Sequence, residues 1–130
     1  MLFNKKTEYS IRIMLFMLKR KGQIISAGSV ADKLNLPGEF VSKILQSLSR
    51  DGFLRSRKGK GGGFMLSENS AESKLVEIIN TYESNSISAD CIMGVYEFCI
   101  GQTCPLYEDW NKLLSNLENR KIETLKNFLD

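Results

Sequence analysis

The chain has 130 residues, of which 42% are hydrophobic and 25% charged, with 3 cysteines and no histidine. That size and composition fit one compact soluble domain, or a small domain plus an interaction arm, and an odd number of cysteines argues against a secreted disulfide framework. The net charge of +3 hides an asymmetry: residues 1–66 carry 13 Lys+Arg against 4 Asp+Glu, a balance of +9, and residues 67–130 carry 5 against 11, a balance of −6. A polyanionic partner is therefore expected for the first half only. The apolar run Ile11–Leu18 is too short to span a bilayer, contains Arg12 and lacks a small-residue cleavage site. The protein is expected in the cytoplasm, with reduced thiols and no membrane partner.

In chain order, Thr7 is the expected cap of a first helix that ends at Gly22. Tyr9, Ile13, Phe16 and Met17 recur at helical spacing, and Ile11, Leu15 and Leu18 do so on another face. A helix apolar on nearly all sides must be buried on all sides, which suggests that a second chain helps to cover it.

The segment SAGSVADKLNLPGEFVSKILQSLSRDGF follows. Val30, Ala31 and Leu34 make one apolar face, Asn35-Leu36-Pro37-Gly38 interrupts it, and Phe40, Val41, Ile44, Leu45 and Leu48 make another that stops at Asp51-Gly52. Two short helices joined by a tight turn read as a helix-turn-helix. The second helix turns Glu39, Ser42, Lys43, Gln46, Ser47 and Arg50 to its other side, where donors and acceptors suit base edges and phosphates. Next, FLRSRKGKGGGFML has apolar ends around a basic, glycine-rich tip, the pattern of a β-hairpin. Arg55, Arg57, Lys58 and Lys60 cluster on it. A basic hairpin after a helix-turn-helix is a winged helix, with the helix in a major groove and the wing on adjacent phosphates. No GxxxxGK[ST] or GxGxxG pattern precedes a helix, which disfavours a nucleotide loop.

After Ser67 the chain is acidic. Leu75, Ile78, Ile79 and Tyr82 share one helix face and read as core. Pro105 opens a last helical region in which Glu108 and Asp109 suit the first turn, and Leu106, Trp110, Leu113 and Leu117 form a stripe. The polar ENRK either breaks or bends this helix before Ile122, Leu125, Phe128 and Leu129; unbroken, it would run for about 36 Å. That exceeds what a small winged helix needs to cover its own core, so a dimer arm is expected, with Trp110, Leu113 and Leu117 as dimerisation residues. The fold class is thus mainly α with a small β-hairpin wing. Residues 1–68 are the expected DNA-binding domain, 69–105 a connecting helix and cysteine-bearing loop, and 106–130 the dimerisation region.

All the cysteines fall in CIMGVYEFCIGQTCP, spaced C-x7-C-x4-C at Cys91, Cys99 and Cys104. Thiolates are soft ligands that suit iron–sulfur clusters or zinc. Structural zinc favours short C-x2-4-C pairs or histidines, both missing here. A metal-free thiol switch and inert buried cysteines are the other readings. Catalysis has little support, because there is no histidine base and no nucleophile motif.

With its parts in this order, the chain resembles the bacterial winged-helix regulators of the IscR, NsrR and CymR type, over essentially its whole length. The resemblance rests on NKKTEYSIRIML, VADKLNLPGEFVSKILQSLSRDGFL, the wing RSRKGKGGGFML, the cysteine loop and the helix after CPLYEDW. It implies a symmetric dimer, paired through the C-terminal helix, on partly palindromic double-stranded operator DNA. Several such proteins hold a 2Fe-2S or 4Fe-4S cluster on the cysteines of this loop, which here are Cys91, Cys99 and Cys104. The first interval is longer and the second shorter than is common. The IscR-like branch adds a histidine three residues after the third cysteine, where this chain has Tyr107. The NsrR-like branch uses an acidic residue of the partner subunit near the N-terminus, and Glu8 occupies the matching position. The implied function is a regulator whose operator binding follows the state of the cluster. The alternative is the same fold working without metal, through thiols or a small-molecule ligand.

Overall fold

A computed structural model describes residues 3–84 and 104–128. Its elements run α1 (Lys5–Leu18), α2 (Ala27–Leu34), α3 (Gly38–Arg50), β1 (Leu54–Arg57), β2 (Gly63–Leu66), a 3-10 turn (Ser70–Glu72), α4 (Leu75–Tyr82), α5 (Tyr107–Asn119) and a C-terminal 3-10 segment (Ile122–Phe128). Among the described residues no helix is long and apolar enough to cross a membrane.

Asn4, not Thr7, caps α1: the Asn4 side chain accepts the Thr7 amide at 2.8 Å. Thr7 lies one turn in, where its hydroxyl is used by another element. The helix stops at Leu18, before the expected Gly22, and the chain turns through Gly22 at φ 86°. Ile13 to Leu18 are all buried without any second chain. The expectation of a covering partner here fails for a local reason: α1 is enclosed by α3, β2, α4 and the C-terminal 3-10 segment.

The break between α2 and α3 is as its residues require. Ser26 caps α2 by accepting the Ser29 amide at 3.2 Å. Asn35 ends it in the left-handed conformation at φ 54°, and the Leu36 amide returns to the Ala31 carbonyl at 3.0 Å. Pro37 then precedes the first turn of α3. Val41, Ile44, Leu45 and Leu48 bury the inner face of α3 against α1 and α2.

Strands β1 and β2 pair antiparallel in the register Leu54↔Leu66, Arg55↔Met65, Ser56↔Phe64 and Arg57↔Gly63. Ile25 adds a bridge on the open side of β2, exchanging both backbone hydrogen bonds with Phe64 at 2.8 Å. That close approach explains Gly63, where a Cβ would stand 2.5 Å from the Ile25 carbonyl oxygen. A Cβ on Gly62 would stand 2.1 Å from the Arg57 carbonyl oxygen, so any side chain there would collide with the hairpin's own backbone.

In α4, Leu75, Ile78 and Ile79 are buried and Tyr82 is half-buried, on the expected face. The ENRK stretch does break the last helix. Helix α5 has 13 residues, about 20 Å, and the chain leaves it at Arg120 in an extended conformation. It then pairs with the start of α4: the Leu75 amide donates to Arg120 and the Ile122 amide to Ser73, at 2.8 and 2.9 Å. Ile122 is fully buried against the core around α1.

Candidate nucleic-acid interface and cysteine segment

The outer face of α3 forms because its inner positions are committed to the core. Glu39, Lys43, Gln46 and Arg50 are exposed and Ser42 is half-exposed. Ser47 is buried and leaves the expected surface, since it sits beside Leu48 on the turn that packs inward. The wing continues directly from this helix: Asp51 and Gly52 make the turn, and the Phe53 amide donates back to Leu48 at 2.9 Å. Ser70 anchors the same point, its hydroxyl donating to the Phe53 carbonyl at 2.6 Å. Helix and hairpin are therefore fixed to each other through the backbone. Arg55, Arg57, Lys58 and Lys60 are all exposed on the wing. Arg55 stands 4.0 Å from Glu68, both well solvated, a contact too weak to withhold the guanidinium from a phosphate. The Ile25 bridge that steadies the wing is not legible in the sequence as a strand, because a single residue carries no alternation.

Beyond α3, its C-cap Asp51 accepts the Tyr82 hydroxyl at 2.9 Å and lies 3.7 Å from the Arg50 Nε. Burial first, and then this hydrogen bond, push the Tyr82 hydroxyl far above the ordinary tyrosine range, so it stays a donor. Sequence reading placed Tyr82 in the core and missed its polar end.

Cys91 and Cys99 lie outside the described residues. Cys104 is half-exposed with a free thiol at the entry to α5, its Sγ accepting the Leu106 amide at 3.4 Å. Glu8 lies in the first turn of α1, and its carboxylate takes no hydrogen bond or ion pair among the described residues. The neighbouring acid, Glu83, is committed: its carboxylate accepts the Asn4 amide at 3.2 Å and the Thr7 hydroxyl at 2.5 Å. No group of three or more metal-ligating side chains is gathered among the described residues.

The stripe on α5 divides. Leu106 and Leu113 remain 44% and 48% exposed, and Trp110 and Leu117 are half-buried. The residue that docks α5 on its own chain is Leu114, outside the stripe and buried.

A helix-turn-helix with a basic hairpin fixed to its second helix defines a DNA-binding winged-helix regulator of transcription. The chain belongs to the Rrf2 family, described as iron-dependent transcriptional regulators, whose family model matches residues 3–126. It is 25% identical over 111 residues to the HTH-type transcriptional regulator NsrR of Bacillus licheniformis, covering 84% of this chain and 78% of that protein. In fold it is similar to CymR, the global cysteine regulator of B. subtilis, with a TM-score of 0.75 and 19% identity over 98% of both chains. It is also similar to IscR of T. potens, with a TM-score of 0.65 and 18% identity over 97% of this chain and 87% of that one. The family consists of transcriptional regulators, not enzymes.

Proposed function

We propose that the chain acts in the cytoplasm as a homodimer on partly palindromic operator DNA, and that its affinity is set by an iron–sulfur cluster. In this reading Glu39, Ser42, Lys43, Gln46 and Arg50 of α3 meet a major groove, and Arg55, Arg57, Lys58 and Lys60 of the wing meet phosphates. The observation that carries it is the exposure of these side chains on two elements joined through the Phe53 amide. Phosphate contacts supply affinity and register, whereas the side chains in the groove supply sequence preference. The outward stripe of α5, with Trp110, Leu113 and Leu117, is the dimer face in this reading, because Leu106 and Leu113 are about half exposed and no described residue covers them.

Cys91, Cys99 and Cys104 would hold the cluster, with Glu8 of the partner subunit as the fourth ligand. The donor set suits such a group: soft thiolates from one segment, an acid with no partner among the described residues, and no histidine in the chain. When bound, a 2Fe-2S or 4Fe-4S cluster supplies an iron open to oxidants or nitric oxide, which suits a sensor. The protein's own part is to hold the ends of the segment, Glu83 fixing the end of α4 and Cys104 opening α5. A second reading, a metal-free thiol switch or small-molecule regulator, is favoured by Tyr107 in place of a histidine and by the half-exposed Cys104 thiol.

Anaerobic purification with an absorption spectrum and iron and sulfide assays tests the cluster. A visible charge-transfer band that Cys99→Ala abolishes is expected. A colourless protein that reconstitution leaves without iron and sulfide would contradict the cluster and leave the thiol reading. Glu8→Ala should leave the band but make it decay faster in air.

A further inference from the structure

The end of α4 makes contacts that neither the DNA surface nor the cysteine segment explains. Tyr82 is its last helical residue, three positions before the segment that carries the cysteines passes outside the described residues. Its ring lies under Lys6, with Nζ 4.9 Å from the centroid, and its hydroxyl donates to Asp51. Asp51 caps the C-terminus of α3. A carboxylate there faces the negative end of the helix dipole and needs donors to offset the repulsion. Two partners among the described residues offset it: the Tyr82 hydroxyl donates to Oδ2 at 2.9 Å, and the Arg50 guanidinium forms an ion pair with Oδ1 at 3.7 Å. Arg50 is 70% exposed at the end of the outer face of α3.

We propose that Asp51 and Tyr82 are positioning residues for DNA binding, with the Asp51 carboxylate shared between Arg50 and the end of α4. The assignment rests on the DNA-binding reading above and adds the route by which the cysteine segment and α3 sense each other. When Arg50 turns to a phosphate, Asp51 loses its ion-pair partner and leans on the Tyr82 hydroxyl. The Tyr82 hydrogen bond then tightens, and with it the last turn of α4. By linkage, whatever loosens that turn from the side of the cysteine segment weakens the hold of Arg50 on DNA. The raised hydroxyl of Tyr82 keeps the bond in its donating form across the working pH range.

The Glu83 amide, which donates to the Ile79 carbonyl at 2.9 Å, reports on that turn. The test is hydrogen exchange of the full chain with and without a 30-bp duplex at low salt (a length of about three helical turns), for wild type, Tyr82→Phe and Asp51→Asn. Phenylalanine keeps the ring beneath Lys6, so loss of the fold is not expected. In wild type, duplex should slow exchange at Glu83 by about fivefold or more. In Tyr82→Phe the slowing should fall below about twofold. Asp51→Asn should also lose it, yet bind duplex more tightly, because a negative charge beside Arg50 is gone. Equal slowing in Tyr82→Phe and wild type, no slowing in wild type with duplex bound, or weaker binding by Asp51→Asn overturns the assignment alone. No binding of any duplex by wild type at low salt overturns the DNA-binding reading, and this assignment with it.

Discussion

Helices α1 and α5 have similar length, 14 and 13 residues, and both carry apolar side chains on more than one side. In α1 every residue from Ile13 to Leu18 is buried within its own chain. In α5 only Leu114 is buried, while Leu113 and the N-cap residue Leu106 are about half exposed. Composition is part of the difference, since α1 has eight apolar residues in 14 and α5 five in 13. The rest is a matter of cover: residues 120–128 leave α5, pair with the start of α4 and, with Ile122, complete the enclosure of α1 by α3, β2 and α4. Excess apolar surface on a helix therefore identifies an interface only after the rest of the chain has been placed. For α1 the missing cover is the C-terminal segment; for α5 nothing among the described residues provides it.

The strongest way to break this contrast is to remove the cover from α1. Ile122→Ala should lower the stability of the protein by about 2–5 kcal/mol, read by urea unfolding, because it opens a cavity in a closed core. A loss under about 0.5 kcal/mol would show that the C-terminal segment is not docked as described. Next in size is the exposed face of α5. Leu113→Ala should weaken dimerisation by about 1–2 kcal/mol, roughly tenfold, in sedimentation equilibrium. The same change should leave monomer stability within about 0.5 kcal/mol of wild type, because Leu113 is half-exposed. The opposite pattern would exchange the roles of the helices.

The basic half can be sharpened separately. Arg57→Ala and Lys60→Ala should each reduce the salt slope of duplex binding by about 0.9, and should do so on every sequence tested. Ser42→Ala or Lys43→Ala should instead change which sequences are preferred. The smallest expected effect concerns the clasp at the end of the chain, where Lys121 Nζ pairs with Glu72 Oε2. The hydrogen bond from Lys121, and then its charge, hold the Glu72 carboxyl below its usual range; the same contact holds the Lys121 ammonium above its own. The stabilisation is present above the usual carboxylate pKa and lost as pH falls through the lowered one. At the other end it is present below the usual lysine pKa and lost as pH rises through the raised one. Both groups are solvated, so salt screening keeps the effect slight. Denaturation of wild type and Glu72→Gln should differ a little at neutral pH and converge in acid, below the ordinary carboxylate range.

Much of the fold was legible because it depends on local chemistry. Asn35-Leu36-Pro37-Gly38 had to interrupt the helical pattern, the glycines between Arg57 and Phe64 had to form a turn, and ENRK offered no apolar residue to continue the stripe. What was not legible depends on distant partners. Thr7 looked like a cap because Glu83, which takes its hydroxyl, lies 76 residues away. Ser47 looked like a groove contact because spacing alone does not set where the core ends. Leu114, rather than the stripe beside it, docks α5, and Ile25 joins the wing through a backbone pairing that no side-chain pattern marks. Of the proposed cysteine site, only Cys104 and Glu8 fall among the described residues: the Cys104 Sγ accepts the Leu106 amide, and the Glu8 carboxylate takes no hydrogen bond or ion pair among the described residues.

The most direct test is operator affinity at fixed salt for cluster-loaded protein, cluster-free protein and Cys99→Ala, using a duplex selected from a random pool by the protein itself. Iron and sulfide are measured on each sample. A regulator switched through this segment should show at least a tenfold difference between loaded and cluster-free forms, about 1.4 kcal/mol of coupling, with Cys99→Ala matching the cluster-free form. Equal affinity of loaded and cluster-free protein for every selected duplex would contradict the account.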